Sequence, residues 1–461
     1  MVRLCGIETE YGLAVEGRTP SDQMMDAARL VSALEGPACT AWDYAFESPR
    51  NDLRGFKVEA LATDPADARW DEGRQVFVER VDRILPNGAR FYNDHGHPEY
   101  ATPECRRLLD IVAHDRAGER VVLAAARTYE RETGNRVRLY KNNTDFHGAS
   151  YGTHENYLVD RGVPFDRLLR GVMPFLCVRQ MLVGAGKVGS EAGDWAPYQL
   201  SQRAEFLQEV ASVDTLYRRP IFNTRDEPHA DSARWMRLHV ILGDANRMEW
   251  CTAMKVGMTA LVLDLIEADE APGMIPRNPT RTIVEVSKRL DAKLRVELET
   301  GSWTTPLDML EAYLTACEAR FRGRDAETDW VLGEWRLAVT DLADDPARLA
   351  DRVDWVAKRQ ILEQVGASDI THLQAVDLEY SNLDPKESLF EALVADGAGQ
   401  RLVDEPRVLD ALTIPPTTTR AHQRGTLIQE RTHEIRTVGW RRAVLNSDEV
   451  IEFEPESTGV G

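Results

Sequence analysis

The sequence predicts an α+β protein with a small C-terminal domain, and three observations predict it. Over the first 245 residues, short segments alternate apolar and polar positions, with helical stretches between them. From Met248 onward, apolar spacing near 3.6 dominates. Beyond Glu405 the character shifts to Pro415-Pro416, a threonine-arginine cluster and short strands. The expected division is a large part over residues 1–400 and a small domain over 405–461.

Taken in order, the opening run Gly6-Ile7-Glu8-Thr9-Glu10-Tyr11-Gly12 reads as a strand. Ser21 to Leu34 carries a capping serine and helical spacing. From Gly36 to about Pro86 the pattern loosens, and Trp42 to Pro49 holds aromatics without core periodicity, as a functional loop does. Ala89 to Asn93 follows the Asn87-Gly88 turn as a strand, and Leu108 to Thr133 reads as a long helix. Strands are expected at Arg136 to Lys141, His154 to Val159, Pro220 to Thr224 and Trp235 to Leu242, with a helix over Phe165 to Val183. Further helices are expected at Met248 to Ala268, Asn278 to Leu298 and Leu307 to Arg322, then a pair through Gln364, and strands at Thr437 to Asn446 and Val450 to Glu454.

Composition excludes several classes. A formal net charge of −20 disfavours non-specific nucleic-acid binding, which requires neutralising phosphates. The strongly apolar run Met258 to Ile266 is far short of the roughly 20 residues that span a bilayer. The N-terminus shows no leader-like pattern, and six scattered cysteines form no C-x-x-C pair, so a reduced, cytoplasmic setting is expected. Arginine outnumbers lysine, weak evidence for oxyanion recognition.

On a strand, Glu8 and Glu10 leave the same face, and two carboxylates that close repel unless a cation lies between them. Mg²⁺ carrying ATP phosphates would supply that charge, because it takes one or two carboxylates plus substrate oxygens. The alternative is a solvated strand face. Asn87 to Tyr100 (NGARFYNDHGHPEY) places Tyr92 and Asp94 on one face, followed by His95, His97 and Glu99. Asp94 there is a nucleophile or general base, or else only a turn acid. His154, which opens a strand with Asn156 on its face, is a metal or phosphate contact or a structural hydrogen-bonding group. Arg225 suits bidentate recognition of phosphate or carboxylate, and Arg237 with His239 turns away from the apolar positions of its strand. Arg420 and Arg424 add guanidinium groups in the tail, and Trp440 is either core or a stacking face. No serine elbow, H-E-x-x-H or Cys-His signature occurs.

Taken together, GIETEYG, NGARFYNDHGHPEY, YKNNTDFHGASYGTHENYL, LSQRAEF, NTRDEPHAD, RLHVILGDAN and PPTTTRAHQRG closely resemble the family of the Pup ligases and Pup deamidases/depupylases. Pup is the small, disordered, acidic ubiquitin-like modifier of actinobacteria. The resemblance covers essentially the whole chain. It implies a glutamine synthetase-like, curved, mainly antiparallel sheet flanked by helices, holding ATP (or ADP plus phosphate) and Mg²⁺. Carried over residue by residue, it implies Asp94 as the catalytic aspartate and Glu8, Glu10, Tyr92, Glu99 and His154 as metal-site residues. Arg225, His239, Arg420 and Trp440 become contacts of the nucleotide or its phosphates.

Two details favour the depupylase branch. Trp42 to Phe56 (WDYAFESPRNDLRGF) resembles the start of the depupylase loop, expected over about residues 40–80, and D-H-G-H-P-E has the depupylase spacing from Asp94 to Glu99. The implied activity is deamidation of the C-terminal glutamine of Pup and hydrolysis of the Pup-lysine isopeptide bond, with Pup and pupylated proteins as partners and a link to the bacterial proteasome. The alternatives are a Pup ligase, favoured by the wording Gly6-Ile7-Glu8-Thr9-Glu10, and a Pup-binding pseudoenzyme, suggested by a short segment after Trp440.

Overall fold

A computed structural model describes residues 3–62, 80–215, 217–289, 294–366 and 369–453. The second half of the loop expected over 40–80 therefore lies largely outside the described residues. In chain order the first elements are β1 (Cys5–Glu10), β2 (Gly12–Val15), α1 (Gln23–Ser32), β3 (Asp82–Ile84), β4 (Arg90–Asp94), β5 (His97–Ala101), α2 (Leu108–Thr133), β6 (Val137–Tyr140), β7 (Thr153–Asp160) and α3 (Phe165–Val183). Next come the short β8 (Lys187–Val188) and β9 (Tyr198–Gln199), then β10 (Glu209–Ser212), β11 (Pro220–Asn223), β12 (Trp235–Val240) and α4 (Glu249–Glu267).

An eight-stranded sheet in the order β10-β11-β12-β7-β1-β5-β4-β3 organises this half. Only the β10–β11 pair within it is parallel; the other neighbours run antiparallel. The expected α+β class, with a large mainly antiparallel sheet and flanking helices, is what the chain adopts.

Pleat parity sorts the two faces. Ile7, Tyr157, Val159, Leu238, Val240 and Phe91 are buried on one face. There α2 and α4 pack against β1, β5 and β7. The helix α2 ends at Gly134, whose φ of 75° supplies the left-handed cap that glycine adopts without steric cost. Along α4 nearly every side chain is buried, as befits a central helix. The opposite face carries the polar residues of the same strands.

The expected helix over Asn278 to Leu298 is shorter: α5 (Pro279–Lys288) ends and β13 (Val296–Glu297) pairs with β14 (Trp303–Thr304). Then follow α6 (Pro306–Phe321), α7 (Ala326–Asp344), α8 (Asp354–Val365), α9 (Ile370–Ser381), α10 (Leu389–Ala395), α11 (Glu405–Ala411) and α12 (Ala421–Arg431). The sequence reading did not assign the last four. In α12 the obstacle is Gly425, which sits where a Cβ would meet the Pro86 carbonyl oxygen at 2.3 Å. Its helix-weakening residue is required by close packing rather than by a turn.

The expected single strand Thr437 to Asn446 is a bend between β15 (Ile435–Val438) and β16 (Arg442–Leu445), with β17 (Val450–Glu452) alongside. Trp440 therefore occupies the connection, not a strand. Ile428, Val438, Ala443 and Leu445 form an apolar cluster that also takes in Cys39, Trp42 and Ile84. Trp42 bridges Val438, so the described start of the loop docks on the C-terminal hairpin.

Candidate functional site

Cross-strand register builds the site. Glu8 lies opposite His154 across β1–β7, His239 opposite Asn156 across β12–β7, and Glu10 opposite Glu99 across β1–β5. Glu99 in turn lies opposite Tyr92 on β4. Directly paired residues project from the same face, so five strands deliver these groups to one surface. Glu8, Glu10, Tyr92, Glu99, His154 and His239 line a cleft of about 2050 Å³ together with Asp94, Arg203, Arg225 and Arg237.

The carboxylates and imidazoles divide into two groups. In each of the sets Glu8–His154–His239 and Glu10–Asp94–Glu99, one donor atom per residue lies within 4.8 Å of the others. Glu8 Oε2 is 3.6 Å from both His154 Nδ1 and His239 Nε2. His239 is buried, and neither of its ring nitrogens has a hydrogen-bond partner. Burial, reinforced by Arg237, pushes its pKa well below the usual imidazole range, leaving a neutral ring with two open nitrogens. Gly152 accommodates this arrangement: a Cβ there would lie 2.0 Å from His154 Nε2. Its N–H donates to Glu10.

In the second group, burial and the neighbouring charges of Asp94, Glu8 and Glu10 push the Glu99 carboxyl well above the usual range. Such crowding of acids calls for a proton or a cation. The Tyr92 hydroxyl donates to Glu99, and burial, with Glu99 adding, holds that phenol far above its ordinary pKa. Arg90 stacks between Tyr92 and Trp42, 4.0 and 4.1 Å from the ring centres, and pairs with Asp82 at 2.6 Å.

Asp94 ends β4 at a two-residue turn in which His95 and Gly96 have φ of 48° and 88°. Two successive left-handed residues match the twist of a tight hairpin. The turn sets His95 Nδ1 2.9 Å from Asp94 Oδ1. Burial alone would raise the aspartate, but His95, chiefly by its charge, holds it well below the usual carboxylate range. The Asp94 charge reciprocally pushes His95 up to about 9.

Arg225 lines the same cleft, steered by Nε to the Val213 carbonyl and by Nη2 to Thr215 Oγ1, both at 3.3 Å. Arg420 lies elsewhere. With Trp440 it lines an adjoining pocket of about 560 Å³ walled by Gly6, Ile7, Thr102 and Leu158, which meets the cleft at Glu8, Arg237 and His229. Arg420 Nε donates to Glu104 at 2.7 Å and its Nη1 to the His229 carbonyl. Arg424, fully buried, joins Glu104 to the Gly88 and Trp440 carbonyl oxygens.

The sequence reading assigned no role to Arg203, Glu104 or Glu227. Arg203 occurs within LSQRAEF, and that segment's run of hydrogen-bonding types without strand periodicity was the available signal. Glu227 receives the Ser48 N–H, tying the described part of the loop to the cleft wall.

A mainly antiparallel sheet that brings two groups of candidate metal ligands and several guanidinium groups to one cleft, beside a mostly apolar pocket, has the layout of an enzyme's active site. The model of the Pup-ligase protein family matches residues 3–444, so the chain belongs to the family of the Pup ligases and Pup deamidases/depupylases. It is 40% identical to the depupylase of Acidothermus cellulolyticus over 97% of this chain and 91% of that one. It is 38% identical to the Pup deamidase/depupylase of Mycolicibacterium smegmatis, over 97% and 92%. The Pup–protein ligase of Acidimicrobium ferrooxidans is 42% identical, over 82% of this chain and 85% of its own. Among solved structures, the Pup ligase PafA in complex with Pup superposes with a TM-score of 0.81 at 30% identity, covering 99% of this chain and 90% of that one. PafA with ADP gives 0.76 at 33%, covering 87% and 93%.

Proposed function

We propose that this protein is a Pup deamidase/depupylase: a hydrolase that converts the C-terminal glutamine of Pup to glutamate and releases Pup from lysines. The observation that carries the reading is the position of Asp94, at the tip of a hairpin, gathered with Glu10 and Glu99 in a cleft that Glu8, His154 and His239 also line. Alignment over 97% of the chain with depupylases, against 82% with a ligase, supports the hydrolytic branch.

ATP or ADP and Mg²⁺ fit the residues present. The open nitrogens of His239 and the crowded acids of the second group suit a cation, and the Trp440 pocket suits a nucleoside. Glu8, His154 and His239 would hold one ion and Glu10 with Glu99 another, with Arg237 and Arg225 toward the phosphates. When bound, the metal-nucleotide supplies positive charge that stabilises an oxyanion at the substrate carbonyl.

The chain's own groups do the rest. Asp94 meets the carbonyl carbon of the side-chain amide, either attacking it or taking the proton of a water that does. Both routes need the carboxylate ionised, and the His95 ion pair keeps it so. Water adds across the C–N bond, leaving a carboxylate and releasing ammonia or a lysine amine. Tyr92 orients Glu99, and Arg90 orients Tyr92.

The same reading places the catalytic part over residues 1–400 and a small domain over 405–461, the latter supported by the apolar cluster around Ile428 and Val438. It sets the protein in the cytoplasm beside the proteasome; among the described residues no helix is long and apolar enough to cross a membrane. Incubation with ATP and a pupylated protein, and separately with glutamate-ended Pup and a lysine acceptor, tests it. Release of free Pup is expected; accumulation of conjugate without cleavage would overturn it in favour of the ligase.

A further inference from the structure

The hairpin tip that carries Asp94 runs past the strands on either side of it. The ladder from β4 to β3 stops at Tyr92 and that from β5 to β1 at Glu99. One backbone hydrogen bond extends each, from the Asn93 N–H to the Val81 carbonyl and from the Tyr11 N–H to the Pro98 carbonyl. Asp94 through His97 therefore overhang the sheet, and side chains must fix what the ladder does not.

His97 is placed to do so. It stands opposite Asp94 across the two-residue turn, so both side chains leave the same face of the hairpin. Its imidazole stacks on the Tyr151 ring, with centroids 4.6 Å apart and planes inclined by 27°. Its Nε2 accepts the side-chain N–H of Gln23, from α1, at 3.2 Å. Asp94 and Tyr151 line the cleft and His97 does not, so the imidazole bears on the cleft through its neighbours.

Both supports are themselves anchored. On the α1 side, Met24 Sδ accepts the Asn93 side-chain N–H at 3.4 Å, and the backbone of Met24 faces Gly96 of the turn. On the other side Tyr151 is buried, its hydroxyl held by Asn142 Oδ1 and the Thr144 carbonyl. The next residue, Gly152, gives its N–H to the Glu10 carboxylate and accepts the Glu10 N–H, and His154 of the first metal-capable group lies two positions further on. One ring stack thus joins the overhanging tip to the segment that fixes Glu10 and His154.

We propose that His97 is a positioning residue for the amidase reaction: its stack on Tyr151 and its bond to Gln23 set the Asp94 carboxylate against Glu10 and Glu99. The inference rests on the deamidase/depupylase reading, with Asp94 as the reacting carboxylate. Donor atoms of Glu10, Asp94 and Glu99 lie within 4.8 Å of one another, so a small shift of the tip changes that arrangement substantially. A misplacement of about 1 Å is enough to cost roughly a hundredfold in rate.

Cleavage of a pupylated protein at saturating ATP and Mg²⁺ tests it. His97→Ala should lower kcat roughly a hundredfold while KM and nucleotide affinity, read by calorimetry, stay within about twofold; the affinity also reports that the variant folds. His97→Phe keeps the ring stack and loses only the Gln23 bond, so it should recover about tenfold of that loss. In single turnover, His97→Ala combined with Asp94→Asn should be no slower than Asp94→Asn alone, because a residue that acts through Asp94 then has nothing left to position. An unchanged kcat in His97→Ala, a loss of nucleotide affinity in place of the fall in kcat, or losses that multiply in the double variant would each overturn the inference and leave the amidase reading intact. Failure of the wild-type protein to cleave would overturn both.

Discussion

Glu8 and Glu10, two positions apart on one face of β1, serve different groups of donors: Glu8 lies 3.6 Å from both His154 and His239, whereas Glu10 takes the Gly152 N–H and gathers with Asp94 and Glu99. A single ion between the two carboxylates is the simplest reading of E-x-E. The neighbouring strands instead give each acid its own partners. In the nucleotide-bound protein, titration with Mn²⁺ followed by paramagnetic resonance should resolve two binding steps. Glu8→Gln should weaken one and Glu99→Gln the other, each at least roughly tenfold. Simultaneous loss of both steps in either variant would show that one shared ion is present.

Asp94 and His95 should separate in magnitude. Asp94→Asn leaves the hairpin and the nucleotide pocket in place but removes the reacting carboxylate, so kcat should fall roughly 10³-fold or more at unchanged nucleotide affinity. His95 is 54% exposed, and an ion pair that open is worth about 1 kcal/mol. His95→Gln should therefore cost no more than about tenfold. Comparable losses from both substitutions, measured in single-turnover cleavage, would mean that the imidazole itself takes part in the chemistry.

The sequence made the faces legible and left the neighbourhoods hidden. Glu8 with Glu10, Tyr92 with Asp94 and Arg237 with His239 each declare a common face through period-two spacing. Nothing local says that β7 and β5 flank β1, and that order is what brings His154 beside Glu8 and Glu99 beside Glu10. Long periodic helices such as α2 and α3 were readable to the residue, because their apolar stripes repeat over many turns up to a glycine boundary, in α3 even past the internal Pro174. The short α11 and α12 were not, since each repeats its pattern over too few turns, and in α12 Gly425 weakens it further for a reason set by packing. Arg203 escaped because the groups around it, among them Ser150, Ile241 and Glu10, come from distant parts of the chain, which local spacing does not record.

Trp440 should govern nucleotide affinity more than turnover. It lines the apolar pocket, meets Trp42 edge-on at 5.2 Å and lies under the Arg424 guanidinium at 4.7 Å. These contacts orient one indole on a connection that has no strand to fix it. Trp440→Leu is expected to weaken ATP binding by roughly tenfold, as loss of an aromatic contact does, with kcat at saturating ATP nearly unchanged. Fluorescence titration with a labelled nucleotide checks it, and an unchanged affinity would place the base elsewhere.

Glu104 ties that pocket to the C-terminal segment and should make stability depend on acid pH. Its carboxylate pairs with Arg420 at 2.7 Å and Arg424 at 2.5 Å, with the Arg424 side chain wholly buried. Burial alone would raise its pKa, but the charges of Arg424 and Arg420 and their hydrogen bonds lower it from 4.5 to about 2. A carboxylate depressed in the folded state adds stability that is full above its unfolded pKa and is lost as pH falls toward the folded value. The pair should thus contribute about 3 kcal/mol at neutral pH, fading between pH 4.5 and about 2. Glu104→Gln removes the titrating charge and leaves Arg424 buried without its acid, a change that costs about 3–5 kcal/mol for a buried pair. Urea unfolding should therefore show a large deficit in the variant at pH 7 that narrows steadily below pH 4.5. A deficit that stays constant across that range would assign the loss to packing rather than to the ionised carboxylate.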